Sequence, residues 1–125
     1  MELRATVIVN DAGQARPILE SLSQKGFTGI AESDPQAVLD ACQVNPPDLV
    51  IVEEHLTGMT GIRFLSRLVS TCWTTSAILI TDEQEESVHQ MTEGLGILGY
   101  MRNFEDTASL DRLLDRFLAM SRRNH

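Results

Sequence analysis

Four short stretches of this chain carry side chains able to do chemistry, and each follows an apolar run: Asn10 and Asp11, Glu53 to Gly58, Thr81 and Asp82, and Arg102 to Glu105. A carboxylate pair such as Asp11 and Glu53 can act as general acid and base. Covalent catalysis also needs a nucleophile with its base and a third group to orient them, and none is in view, so no enzyme is expected. His55, beside Glu53 and Glu54, could join Asp11 in offering the nitrogen and oxygen donors that a transition metal takes; the simpler reading is a solvated loop histidine. His89 lacks the helix-bundle setting in which a histidine accepts phosphate and is read as a surface residue. Cys42 and Cys72 lie in helix-like apolar patterns without C-x-x-C spacing, which predicts buried reduced thiols and no zinc site.

The elements that must position these groups follow from the apolar period. Thr6 to Val9, Leu49 to Val52 and Ala77 to Ile80 are short, β-branched and continuous, as strands buried on both faces of a parallel sheet are. Thr28 to Glu32 and Leu98 to Met101 complete a set of five. Asp34 followed by Pro35 is an N-cap with proline at the first helical position, opening a helix through Val38, Leu39 and Cys42 that stops before Pro46 and Pro47. Ile18, Leu19 and Leu22 predict an earlier helix ending near Lys25 and Gly26, with Pro17 in its first turn. A third runs from Gly61 to about Ser70 with Ile62, Leu65 and Val69 on one face. Asp82, Glu83, Glu85 and Glu86 crowd the start of a fourth that carries Val88, Met91 and Leu95. The last has Leu110, Leu113, Leu114, Phe117 and Leu118 at helical spacing, with Thr107 as the expected N-cap. Trp73 is expected to be a partly buried loop aromatic at the opposite end of the sheet from the pocket. Five βα units imply a doubly wound parallel sheet with helices on both faces. Ligands of such sheets bind beyond the carboxyl ends of the strands, where the four polar stretches fall.

Composition sets the outer bounds. A length of 125 residues fits one domain, 1–125, and a hydrophobic content of 42% is ordinary for a packed one. The polar ending SRRNH could begin a linker. Ten basic residues against 18 acidic ones give a net charge of −8, which repels phosphate backbones and anionic lipid. Neither nucleic acid nor membrane is therefore expected as a partner. No apolar run is long enough for a signal peptide or a membrane span, so a cytoplasmic location is expected.

PDLVIVEEHLTGMTG, Pro47 to Gly61, resembles the third-strand segment of response-regulator receiver domains. The likeness extends through VIVND, GFTGIAESDPQAVL, AILIT and GYMRNF in the same order and spacing. It implies a flavodoxin-like (βα)5 fold with strand order 2-1-3-4-5. It also implies a phosphoacceptor pocket, and here the residues depart from the family. The receiver nucleophile is an aspartate after strand three, with Mg²⁺ held by it and the strand-one acids, a hydroxyl after strand four and a lysine after strand five. Glu53 occupies the nucleophile position, one methylene longer, so that a fully extended carboxylate would sit about 1.5 Å further into the pocket. Asn10 replaces the first acid while Asp11 remains, Thr81 supplies the hydroxyl, Asp82 adds a negative charge beside it, and Asn103 falls at the lysine position. Arg102 is its neighbour, but successive strand side chains point to opposite faces, so it is expected to point elsewhere. Phe104 stands where receivers carry a cis proline, and a trans bond is expected because the cis form costs about 2.5–4 kcal/mol without proline.

The resulting expectation is a degenerate receiver, or pseudo-receiver: a regulatory and protein-interaction module in a two-component-type system, not phosphorylated on aspartate. Glu53, with one negative charge where phosphoaspartate has nearly two, could hold the pocket partly activated through Thr81 and Tyr100, the switch pair of the family. No cofactor is expected beyond millimolar-class Mg²⁺ at Asp11 and Glu53. Two alternatives stand beside this reading: an Mg²⁺-dependent phosphoacceptor using Asp11 or a hydroxyl, and a small-ligand module at the strand ends. Association with itself or another protein is expected through the helix 4, strand 5 and helix 5 face. There Glu85, Glu86 and Glu93 oppose Arg112 and Arg116, with Tyr100 retained and Phe104 either tucked over the pocket or exposed as an anchor.

Overall fold

The computed structural model describes residues 2–123. Five parallel strands, β1 (Leu3–Ile8), β2 (Phe27–Glu32), β3 (Leu49–Glu53), β4 (Ser76–Ile80) and β5 (Gly99–Met101), form one sheet in the order β2-β1-β3-β4-β5. Five α-helices connect and follow them: α1 (Arg16–Gln24), α2 (Pro35–Val44), α3 (Gly61–Thr71), α4 (Glu85–Met91) and α5 (Thr107–Arg123). A single 3₁₀ turn, Ala12–Ala15, precedes α1. The expected flavodoxin-like doubly wound fold is the one observed.

The sheet is covered on both faces because Leu49 to Val52 of β3 and Ala77 to Ile80 of β4 are apolar at every position, leaving no face for water. Leu49, Ile51, Ile78 and Ile80 pack on one side with Ile18 and Leu22 of α1 and Leu110, Leu114 and Phe117 of α5. Phe27 and Phe117 close that layer with ring centroids 5.6 Å apart. Val50, Val52, Ala77 and Leu79 pack on the other with Val38 and Leu39 of α2 and Phe64, Leu65 and Leu68 of α3. The alternation along β3 and β4 thus sorts every side chain to one layer or the other.

Local signals hold at α1 and α2 and shift elsewhere. Asp34 accepts from the N–H groups of Gln36 and Ala37, capping α2 as its sequence requires. The buried stripe of α3 is Phe64, Leu65 and Leu68; Ile62 is half-buried and Val69 lies exposed, so the stripe is rotated from the predicted one. The fourth helix ends at Met91, before Leu95, because Gly94 adopts a φ of 82° that a helix cannot continue through. Asp106, not Thr107, caps α5: its Oδ1 accepts from Ser109 N–H at 3.3 Å and its Oδ2 from Arg102 N–H at 2.9 Å. These bonds outweigh desolvation and hold the Asp106 carboxyl below the usual aspartate value. Helix α5 continues through Arg123, so Ser121 to Arg123 are helical, and Asn124 and His125 lie outside the described residues. Trp73 is 82% exposed, contrary to the partly buried loop aromatic expected, because it occupies a tight turn closed by Thr75 N–H on Cys72 O.

Candidate functional site

The polar stretches do converge at the carboxyl ends of the strands, but they satisfy one another in an unexpected pattern. Glu53 ends β3, and its carboxylate, instead of extending into open space, accepts the backbone N–H of Asn10 at 3.0 Å and approaches Asn10 Nδ2 at 3.5 Å. Asn10 also bonds two residues further along the same segment, donating from Nδ2 to His55 O at 2.7 Å and accepting Thr57 N–H on Oδ1 at 2.8 Å. The asparagine that replaces an acid therefore ties the loop after β1 to the loop after β3. An aspartate here would have no side-chain donor for the His55 carbonyl.

Asp11 turns away from this latch, its Oδ1 accepting Gly13 N–H at 3.0 Å to cap the 3₁₀ turn. Asp11 and Glu53 thus serve separate backbone donors. Among the described residues no third cysteine, histidine or carboxylate completes a metal-sized cluster with them. The trio that does converge is Glu54, His55 and Asp82, with donor atoms within 4.8 Å of one another, so His55 does not join Asp11 as its sequence position suggested.

Glu54 is the residue that sequence reasoning passed over. It is 9% exposed, and its carboxylate accepts the hydroxyl of Thr81, itself 3% exposed, at 2.5 Å. His55 Nε2 lies 3.5 Å from the same oxygen. The Thr81 hydroxyl is therefore held by Glu54, not drawn toward Glu53. The register of β3 against β4 explains the choice. Glu53 pairs in register with Ile80, so Glu54 stands beside Thr81 on the layer that contains Val52 and Leu79, while Glu53 belongs to the opposite alternation. The N–H of Glu54 bonds to Ile80 O at 2.9 Å and its carbonyl accepts Gly61 N–H at 2.8 Å. A Cβ at position 61 would lie 2.5 Å from Glu53 O, so only glycine lets α3 start this close to the end of β3.

The remaining positions frame the pocket without entering this network. Thr81 Oγ1 accepts Glu83 N–H at 3.1 Å, leading the chain toward α4, and Asp82 is exposed. Asn103 folds onto its own loop, its Oδ1 accepting Glu105 N–H at 2.8 Å. The chain's single lysine, Lys25, pairs with Asp115 at 2.8 Å, and that hydrogen bond raises its pKa. The described chain has no cis peptide bond, as expected at Phe104. Phe104 is half-buried against the α1–α5 layer, which answers neither expectation of a pocket cover or a free anchor.

Tyr100 is half-buried on the α2–α3 layer, and Thr81 N–H bonds to Met101 O at 2.9 Å, so the Glu54–Thr81 pair is joined to β5. On the adjoining face Glu85 meets His89 at 3.7 Å, while Glu86, Glu93, Arg112 and Arg116 are exposed.

The fold is the one seen in solved response-regulator receiver domains. The chemotaxis response regulator CheY4 of Vibrio cholerae superposes with a TM-score of 0.74 at 18% identity, over 90% of this chain and 99% of that one. A response regulator receiver domain protein from Clostridium thermocellum gives 0.78 at 15% identity, over 98% and 99%. DrrB of Thermotoga maritima, an OmpR/PhoB homologue, gives 0.82 at 19% identity, with this chain spanning 54% of that structure. No protein-family model and no curated protein matches the sequence. Among the described residues no helix is long and apolar enough to cross a membrane.

Proposed function

We propose that this chain is a receiver-like regulatory module of a two-component-type system that works without aspartyl phosphorylation, by associating with a protein partner or a second copy through the α4–β5–α5 face. The observation that supports it is the engagement of both reactive positions. Glu53 is bound to the Asn10 backbone, and the Thr81 hydroxyl is donated to Glu54. Phosphoryl transfer to a carboxylate needs that carboxylate free, cations to neutralise the phosphoryl oxygens and a hydroxyl able to turn toward them. Glu54 holds the hydroxyl through its carboxyl oxygen, and Asn103 supplies no counter-charge. With Glu54 N–H on Ile80 O and Thr81 N–H on Met101 O, the ends of β3, β4 and β5 form one bonded row leading to Tyr100. In this reading the partner meets a fixed surface, and neither catalysis nor a cofactor takes part.

Intact-mass measurement after treatment with acetyl phosphate and Mg²⁺ tests the chemical half. The mass is expected to stay unchanged, and an adduct on Asp11, Glu53 or Thr81 would overturn the reading. Glu53→Asp alone is expected to remain silent, whereas Glu53→Asp with Asn103→Lys and Asp82→Ala restores nucleophile, counter-charge and access together. Ready phosphorylation of the single variant would refute the weight placed on Asn103. Sedimentation velocity tests the self-association version: wild type is expected to associate with rising concentration and Arg112→Glu to lose it. A concentration-independent monomer in both leaves only a separate partner.

A further inference from the structure

Three of the ten basic residues of this acidic chain meet in one cleft. Tyr100 lies in β5 and Arg102 just past its end, while Ser109, Arg112 and Arg116 form one stripe of α5. Together they border a cleft of 370 Å³, within the range of about 300–1,000 Å³ typical of small-molecule sites. Among the described residues none of its guanidinium groups makes an ion pair; the four pairs present involve Arg16, Lys25, His55 and His89. Arg112 Nη2 donates to Ser109 Oγ at 3.1 Å, and Arg116 Nη1 reaches Leu98 O at 3.5 Å, leaving most of their N–H groups available. The one acid at the cleft, Asp106, caps α5 through two backbone donors and faces the charge of Arg112 without forming an ion pair with it.

Like charges four residues apart on a helix repel, so Arg112 and Arg116 gain from an anion placed between them. Planar guanidinium forks match the oxygens of a phosphate in paired hydrogen bonds. Inorganic phosphate would leave much of the cleft unfilled. A second hollow of 500 Å³ adjoins it and shares Tyr100 and Arg116, with Val88, Ile97 and Leu98 among its apolar lining. An arginine-rich cleft joined at a tyrosine to an apolar hollow suits a ligand with a charged end and a flat apolar end. We propose that this pair of depressions binds a phosphate monoester carrying an aromatic ring, of the mononucleotide class, with the phosphate on Arg102, Arg112 and Arg116 and the ring against Tyr100. The site lies on the face assigned above to a partner and uses the same Arg112, so ligand and partner would compete for it, whereas ligand binding does not depend on the state of Glu53.

Calorimetric and NMR titrations of the full chain with AMP, inorganic phosphate, adenosine and hexaglutamate test the proposal. AMP is expected to bind at least about tenfold tighter than each of the others, with shifts centred on Tyr100, Arg102 and Ser109. Arg112→Gln with Arg116→Gln is expected to weaken AMP by about 10- to 100-fold without changing the circular dichroism spectrum, the loss set by charge-assisted hydrogen bonds. Arg63→Gln, an exposed arginine on α3, is expected to bind as wild type does. Equal binding of AMP and inorganic phosphate, shifts centred at Asn10 and Asp11, or unchanged affinity in the double variant would each overturn it. Hexaglutamate binding as tightly as AMP would overturn it in favour of an acidic protein partner.

Discussion

Replacing Thr81 with valine keeps the branched shape of the side chain and deletes one hydroxyl, which isolates the bond to Glu54. Both residues are buried, at 3% and 9% exposure, so Glu54 would be left with a charge that little water can reach. Hydrogen bonds to charged groups contribute about 1.5–3 kcal/mol, and the bond from Glu83 N–H to the same hydroxyl would be lost with it. Thr81→Val should therefore lower unfolding free energy by about 2–3 kcal/mol, read from urea denaturation followed by circular dichroism. Glu54→Gln keeps an acceptor for the hydroxyl but removes the charge, and should cost less. In Thr81→Val/Glu54→Met both polar partners are gone, and part of the loss should return because an apolar pair strands no buried charge. The double-mutant cycle for Thr81→Val and Glu54→Met is then expected to show a coupling of about 1.5–3 kcal/mol. A coupling below about 0.5 kcal/mol, within ordinary additivity, would refute the account of Glu54 as the group that holds Thr81.

Asp106→Ala should destabilise the protein by about 1 kcal/mol through loss of the α5 cap. Because the folded-state pKa of Asp106 is lowered, its contribution is full above the unfolded value of about 3.9 and fades as pH falls through the folded one. The difference between wild type and Asp106→Ala should therefore shrink in acid, and urea midpoints at neutral and acid pH check this. Burial, with Cys72 adjacent, pushes the Cys42 thiol up to about 12, so native protein at mildly alkaline pH should resist iodoacetamide at Cys42 until it unfolds, as peptide mapping would show. Rapid alkylation in the folded state would contradict that burial. Gly61→Ala should destabilise by about 1–3 kcal/mol despite the better helix propensity of alanine, since its Cβ would meet the backbone carbonyl of Glu53; a stability equal to wild type would show that α3 can move outward freely.

Much of the architecture is written in local pattern. Apolar runs such as LVIV and AILI have no solvent face, so they require a sheet covered on both sides, and Asp34-Pro35 fixes the start of α2 through its own side chain and ring. Departures from the receiver pattern at Asn10, Glu53 and Asn103 are equally visible, because they are matters of residue type. The partners these residues take are not. Whether Glu53 or Glu54 reaches Thr81 depends on the register of β3 against β4, a contact between segments 27 residues apart. The latch made by Asn10 depends on β1 and β3 lying side by side, and the meeting of Arg102 with Arg112 and Arg116 depends on how α5 returns along β5. Sequence alone determines which groups are available and which segments are buried. The tertiary structure decides which donor each acceptor meets, because hydrogen bonds act over about 3 Å while the chain that joins the partners spans many times that distance.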